Sequence, residues 1–314
     1  GYGYFFAGEG GLQKLDNYPR FGWTIAGIVL AGAAVCCAGV WRYASRLPQP
    51  TTPPRPMLTG LVHEAAEIFR NPSFRTLFLS ALLAYIAAGL NGALNSHMMV
   101  FVWKVRPENI QFISYALLLG VTMGVILTPI LLRVMEKRTA VLWGIVLVVI
   151  CWSLLAGLRA LGLFTLTGDA VLPWLSANAW LAGVGVGLMA VAYPSMLADS
   201  QGRTASPVRV NRPMYFAGLG FAAKAAAGGG ALLGGIALDL IGFPKEAGHQ
   251  IHAALSPGVM SGLAMTFGPI SGLIAVIASA WLIPYRITRE RHLTLSEALK
   301  AKRAAESAQE HGAA

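Results

Sequence analysis

The chain consists of seven long apolar blocks separated by short polar segments. Each block runs for about twenty residues or more, the length that a helix needs to cross about 30 Å of hydrocarbon at a rise of about 1.5 Å per residue. A single apolar segment can satisfy all its backbone groups inside a membrane only as a helix. The pattern therefore predicts seven transmembrane helices, over Phe21–Tyr43, Thr76–Val102, Ile113–Leu132, Ala140–Gly162, Trp174–Leu197, Met214–Leu240 and Val259–Pro284.

Composition agrees with an all-α, polytopic membrane protein. Hydrophobic residues make up 55% of the chain and charged residues 12%, whereas about 25% of a soluble domain is charged. The net charge of +10 comes from basic residues in loops and a tail rather than on a folded basic face, so we expect the lipid bilayer as a partner and no nucleic acid. The three cysteines lie inside apolar blocks without the spacing of metal ligands, and we expect no metal site.

The distribution of Lys and Arg predicts the orientation. Alternate connections, at residues 42–75, 133–138, 198–213 and 285–314, hold 17 of the 24 basic residues. The positive-inside rule assigns these segments to the cytoplasm. We therefore expect an integral protein of the plasma membrane, that of a bacterium, with residues 1–20 outside the cell and the C-terminal tail 285–314 inside.

The first connection differs from the others. Residues 44–75 open with five prolines between positions 48 and 56, which predict an extended linker. Residues 58–70 follow with helical amphipathic spacing, which predicts a helix on the cytoplasmic membrane surface, although a plain spacer would fit as well.

The spans are therefore arranged as one plus six. We expect residues 21–43 to be the last helix of an N-terminal bundle and residues 76–284 to be a complete C-terminal six-helix bundle, in a transporter whose first five helices precede this chain. The start without Met agrees with that expectation. A seven-helix receptor would have the same number of spans but leaves the Pro-rich break unexplained.

Lys224 is the most informative single residue. It lies ten residues past Met214, about 15 Å into the span and near the bilayer centre. An ammonium at that depth costs about 3 kcal/mol on insertion scales, and the central parts of the spans contain no Asp or Glu. Lys224 therefore faces an aqueous cavity or a carboxylate from elsewhere; the simpler alternative is a lysine tolerated beside water.

Five further polar residues are candidates for the transport path. Asn91 and Asn95, four residues apart on one helix face, could bind a hydroxylated ligand or hold helices together. We place them in the cavity with Lys224 and Tyr193. Asp199 and Arg212 flank a cytoplasmic loop and are either a gate or ordinary solvated charges.

Other positions predict packing and anchoring. Glycines 183, 185, 187, 230 and 234 have the small-residue spacing of close helix contacts. Trp103, Trp174 and Trp281 lie near span ends, as interfacial anchors do.

The order of motifs around Lys224 resembles a known family. Ser195-Met196-Leu197-Ala198-Asp199, an Arg-containing loop and a Phe221-x-x-Lys224 core resemble the glycoside–pentoside–hexuronide cation symporters, the melibiose permease-like group of the major facilitator superfamily. Asn71-Pro72-Ser73-Phe74 is similar to that family's entry into its seventh helix. The loop departs from the family at residues 206–213, where a compact Gly-Arg-Arg run is usual, so gating contacts there do not transfer.

The resemblance implies an alternating-access symporter of a sugar or glycoside, without a bound cofactor. The coupling ion would be Na⁺ or H⁺, Lys224 would lie beside the cation site, and the acidic ligands would lie on helices that this sequence does not contain. A lipid or lysolipid carrier of the same superfamily is the main alternative, and a receptor or an intramembrane enzyme is a more distant one. No catalytic motif is found, so an enzyme is not expected.

Overall fold

The computed structural model describes residues 2–6, 14–45, 69, 72–201, 212–244 and 255–283. In this part of the chain seven helices are long and apolar enough to cross a membrane, which confirms the prediction. Most of the Pro-rich connection with its amphipathic segment, residues 202–211 and the tail 285–314 lie outside the described residues. The helices are α1 Asn17–Ala44, α2 Pro72–His97, α3 Pro107–Leu131, α4 Lys137–Ala160, α5 Leu172–Gln201, α6 Arg212–Leu240 and α7 Pro257–Ala280.

The predicted ends agree to within a few residues except at α3. This helix begins at Pro107, six residues before the predicted Ile113. Arg106 has an extended backbone, and Pro107 occupies the first helical position, where its missing N–H costs nothing. Polar residues thus form the first turn of α3, where hydropathy alone predicts a loop.

Two helices contain π turns, in which a backbone N–H bonds to the carbonyl five residues earlier instead of four. α2 continues into a π turn at Met98–Val102, and α7 is interrupted by one at Thr266–Ile270. Pro269 lies inside the second turn. Such turns bend helices and are frequent at functional sites.

α2 and α6 form a close parallel pair. A Cβ added at Gly89 would overlap the backbone of Ala227, and one added at Gly230 would overlap the carbonyl of Ile86. Gly234 packs on Ala93 further along the same helices. Because contact positions rise together along both chains, the two helices run in the same direction.

α3 and α5 form an equivalent pair. A Cβ at Gly183 would overlap the carbonyl of Leu117, and one at Gly187 would overlap that of Val121. Gly185 meets Gly144 of α4 on another side of α5. The predicted packing role of the spaced glycines is confirmed at both pairs.

The contacts show an internal repeat of three helices. α2 packs against α6 and α7, α5 packs against α3 and α4, and α4 packs against α7. Exchanging α2–α3–α4 with α5–α6–α7 converts the contacts of α2 into those of α5, and it leaves the α4–α7 contact unchanged. Paired three-helix units of this kind, with opposite membrane orientation, build each six-helix half of a major-facilitator protein.

α1 is exposed along its whole apolar window, none of which is buried. Among the described residues it contacts the short helix Tyr2–Phe5, and Phe6 stacks edge-on against Tyr18 and Phe21. Its assignment as the last helix of another bundle stays a prediction.

The core of the bundle divides into two buried clusters. One lies at the end where α2, α4 and α6 begin and includes Phe74, Val141, Tyr193 and Leu282. We call this the basic end, because Arg75, Arg133, Lys137 and Arg138 lie there. The second cluster lies at the opposite end and includes Leu94, Trp103, Ile113, Leu175 and Leu263.

Candidate solute site

Three helices present apolar faces that suit contact with lipid. Their exposed side chains are large and aliphatic or aromatic and recur at helical spacing. They are Phe112, Leu118, Leu119, Met123, Ile126 and Ile130 on α3, Trp143, Val146, Ile150 and Leu154 on α4, and Leu273, Val276 and Ile277 on α7. Burying such side chains in hydrocarbon is favourable, so these faces need no protein partner.

α2 presents a different face. Tyr85, Ala88, Gly92 and Asn95 are exposed, and their spacing of three, four and three residues puts them on one side of the helix. Ser96 is exposed beside them. A face with a phenol, an amide, a hydroxyl and two small residues is poorly suited to lipid and well suited to water or a polar ligand.

Lys224 is exposed on α6, the close partner of α2. It lies near the middle of this 29-residue helix, one turn before Ala227, whose backbone packs on Gly89 of α2. Ala217, Gly228 and Gly235 are exposed at helical spacing from it. In the described part of the chain no hydrogen bond or ion pair is recorded for its ammonium group. The two helices together thus present polar and small residues in mid-span, with one large apolar side chain, Phe221, 76% exposed one turn before Lys224.

Asn91 lies apart from this exposed surface. It is 8% exposed, and its Nδ2 donates a hydrogen bond of 2.9 Å to the carbonyl of Phe267 in the π turn of α7. Of the two uses open to this amide, the structure shows the helix-to-helix contact. Asn95, four residues later, is exposed.

Tyr193 is also buried. Its hydroxyl lies 2.9 Å from that of Ser80 on α2, and both groups belong to the core at the basic end. Sequence reasoning does not find Ser80, because a single serine in an apolar block gives no signal about its partner. The bond ties α5 to α2 at the basic end, whereas Asn95 lies 15 residues further along α2 than Ser80, so the structure does not bring Tyr193 and Asn95 together.

The predicted gate residues lie at the end of one helix and the start of the next. Asp199 is in the last turn of α5, and Arg212 is the first residue of α6. Their side chains lie outside the described part, and their gating role stays a prediction.

Trp103 is not the interfacial anchor that its position near a span end suggests. It is 1% exposed, with the guanidinium of Arg159 6.0 Å above its ring and Phe164 packed edge-on. Arg159 also donates to the carbonyls of Phe164 at 3.1 Å and Val102 at 3.5 Å. That prediction is therefore wrong for Trp103, whereas Trp174 and Trp281 are exposed near their span ends as anchors would be.

The comparison with protein families agrees with these features. The family model described as MFS/sugar transport protein matches residues 3–289, nearly the whole chain. A search of curated proteins finds no significant match. The resemblance to the melibiose permease-like group of this superfamily is consistent with the family match, and the chain belongs to the MFS/sugar transport protein family.

Proposed function

We propose that the protein carries a sugar or glycoside across the membrane together with Na⁺ or H⁺, by alternating access. The observation that supports this most directly is the polar and small-residue surface of α2 and α6, with Lys224 in the middle of the span. Membership of a transporter family supports the coarser class, a membrane transporter. In such proteins the solute site lies near the bilayer midplane, between two bundles.

Lys224 has an electrostatic role in this proposal. A lysine in mid-membrane is stable where water or a carboxylate compensates its charge. The central parts of the spans contain no Asp or Glu, so the carboxylates that bind the coupling cation come from residues outside them. Lys224 then competes with the cation for those carboxylates, which links cation binding to the charge state of the cavity.

The chemistry of the exposed face favours a hydroxylated solute over a lipid. Tyr85 and Asn95 offer a phenol and an amide, which both donate and accept hydrogen bonds as sugar hydroxyls do. A carrier of lipid or lysolipid would present an apolar face along its path. The faces of α3, α4 and α7 are mainly aliphatic and suit lipid contact, and the exposed hydroxyl of Thr122 in the middle of α3 donates to the carbonyl of Leu118 in its own helix.

Transport by purified full-length protein in proteoliposomes tests the proposal. Labelled sugars and glycosides are offered under an inward Na⁺ gradient, an inward proton gradient or no gradient, with a fluorescent lysophospholipid as a parallel substrate. Accumulation of one sugar class that depends on one gradient is the expected result. Movement of the lysophospholipid without any sugar would replace the proposal with the lipid carrier.

A further inference from the structure

The interruption of α7 leaves a backbone carbonyl without its usual partner. In an α-helix the N–H of Ser271 would bond to the carbonyl of Phe267, four residues earlier. In the π turn that N–H donates to the carbonyls of Thr266 and Gly268 instead. Pro269, inside the turn, has no N–H to offer. The carbonyl of Phe267 therefore needs a donor from another helix, since a buried carbonyl is rarely left unpaired.

Side-chain donors reach the carbonyls of the turn. Asn91 of α2 donates to Phe267 at 2.9 Å, the hydroxyl of Ser271 donates to Thr266 at 3.0 Å, and Ser153 of α4 lies 3.5 Å from the carbonyl of Gly268. Three consecutive carbonyls thus each meet a side-chain donor. Side-chain hydrogen bonds from two neighbouring helices, α2 and α4, therefore stabilise the turn.

The turn and the residues that follow it pack closely against α4. A Cβ at Gly268 would overlap the carbonyl of Trp152, and one at Gly272 would overlap the hydroxyl of Ser153. The side at α2 is held by the single amide of Asn91. That amide lies next to Gly92 and four residues before Asn95, both on the exposed face of α2.

We propose that Thr266–Ile270 is a hinge of α7 and that Asn91 is a positioning residue that couples this hinge to the polar face of α2. The hinge has two states. In one, Phe267 accepts from Asn91, as observed; in the other, α7 winds as a regular α-helix, Phe267 accepts from Ser271 N–H, and the amide of Asn91 is released. Exchange between them moves α2 relative to α7 during the transport cycle, and in this respect the inference rests on the proposed transport function.

Hydrogen–deuterium exchange tests the hinge without any transport measurement. Asn91→Leu keeps the branched shape of the side chain, at a larger volume, and removes the donor. The matched control is Asn178→Leu, which removes an amide that donates to the carbonyl of Cys151 at 3.0 Å in a contact between two regular helical segments. We expect Asn91→Leu, in full-length protein in lipid nanodiscs, to raise the exchange rate of peptides covering residues 266–272 about tenfold, because without the Asn91 bond the turn leaves its observed geometry more often and its N–H groups open as it passes between the two states.

The control variant should leave exchange in that segment unchanged. If the exchange rate of residues 266–272 changed equally in the two variants, or did not change in Asn91→Leu, the proposed hinge would be wrong.

Solute uptake then tests the coupling. We expect Asn91→Leu to lower the maximal uptake rate several-fold while the KM for the solute barely changes, because the residue does not touch the solute. Adding Pro269→Ala restores an N–H to the turn and favours the regular helix, so the effect of Asn91→Leu should shrink in that background.

If Asn91→Leu showed faster exchange in the turn but took up solute at the wild-type rate, the proposed coupling of the hinge to transport would be wrong. If wild-type protein moves no sugar, the proposed function fails, while the exchange result still decides the hinge.

Discussion

The hydroxyl groups of Ser80 and Tyr193 lie 2.9 Å apart in the buried core. Ser80 is eight residues after the start of α2, and Tyr193 is eight residues before the end of α5. α2 and α5 are the first helices of the two three-helix units. The bond therefore joins equivalent helices of the repeat at the basic end of the bundle.

Tyr193→Phe is expected to lower the free energy of unfolding by about 1–3 kcal/mol, because the buried hydroxyl of Ser80 loses its partner. Thermal unfolding of the purified protein in detergent measures this. The double variant Ser80→Ala with Tyr193→Phe removes both polar groups and should recover part of the loss. A double variant as unstable as the sum of the single ones would show that the two hydroxyls do not interact.

Gly230→Ala is expected to destabilise the bundle by about 1–3 kcal/mol, because the new Cβ overlaps the backbone of Ile86 and forces α2 from α6. Gly228→Ala is the matched control, since its Cβ meets nothing within 4 Å. The control should be neutral or more stable by up to about 1 kcal/mol, from the higher helix propensity of alanine. Equal melting temperatures for the two variants would contradict the close contact of α2 and α6.

The seven helices could be predicted because apolar length alone determines them. The spaced glycines were also predictable: Gly183, Gly187, Gly230 and Gly234 lie at close contacts because only small residues let two backbones approach. Which helices these glycines join could not be predicted, because the spacing identifies a packing surface on one helix but not the helix that packs against it. The start of α3 was missed because Pro107 begins the helix in a polar segment that hydropathy cannot distinguish from a loop.

Arg159→Ala is expected to destabilise the end of the bundle opposite the basic end by about 1–3 kcal/mol. The variant loses the donors to Phe164 and Val102 and the cation over the ring of Trp103. Limited proteolysis of the segment between α4 and α5, together with thermal unfolding, measures the effect. Arg106→Ala, at an exposed position on the same end, is the control and should cleave like wild type; equal cleavage of both variants would contradict the account.

The candidate site could be predicted only in part. Lys224 and Asn95 are exposed in the structure. A lysine in an apolar helix predicts a surface in contact with water or a carboxylate, because its charge in contact with lipid alone costs free energy. Asn91 looked equivalent to Asn95, but its environment depends on a carbonyl that the π turn of α7 frees, and only Pro269 hints at that turn in the sequence. A tryptophan near a span end gives the same sequence pattern whether it faces lipid or, like Trp103, is buried under Arg159.

Lys224→Ala provides the most direct test of the central claim, cation-coupled transport through a cavity that contains this lysine. Uptake of the transported sugar by full-length protein in proteoliposomes is measured with and without the Na⁺ or proton gradient, for wild type, Lys224→Arg and Lys224→Ala. The account predicts that Lys224→Ala loses gradient-driven accumulation about tenfold or more, as expected when a compensated mid-membrane charge is removed, and that Lys224→Arg retains part of it. Unchanged gradient-dependent accumulation by Lys224→Ala would contradict it.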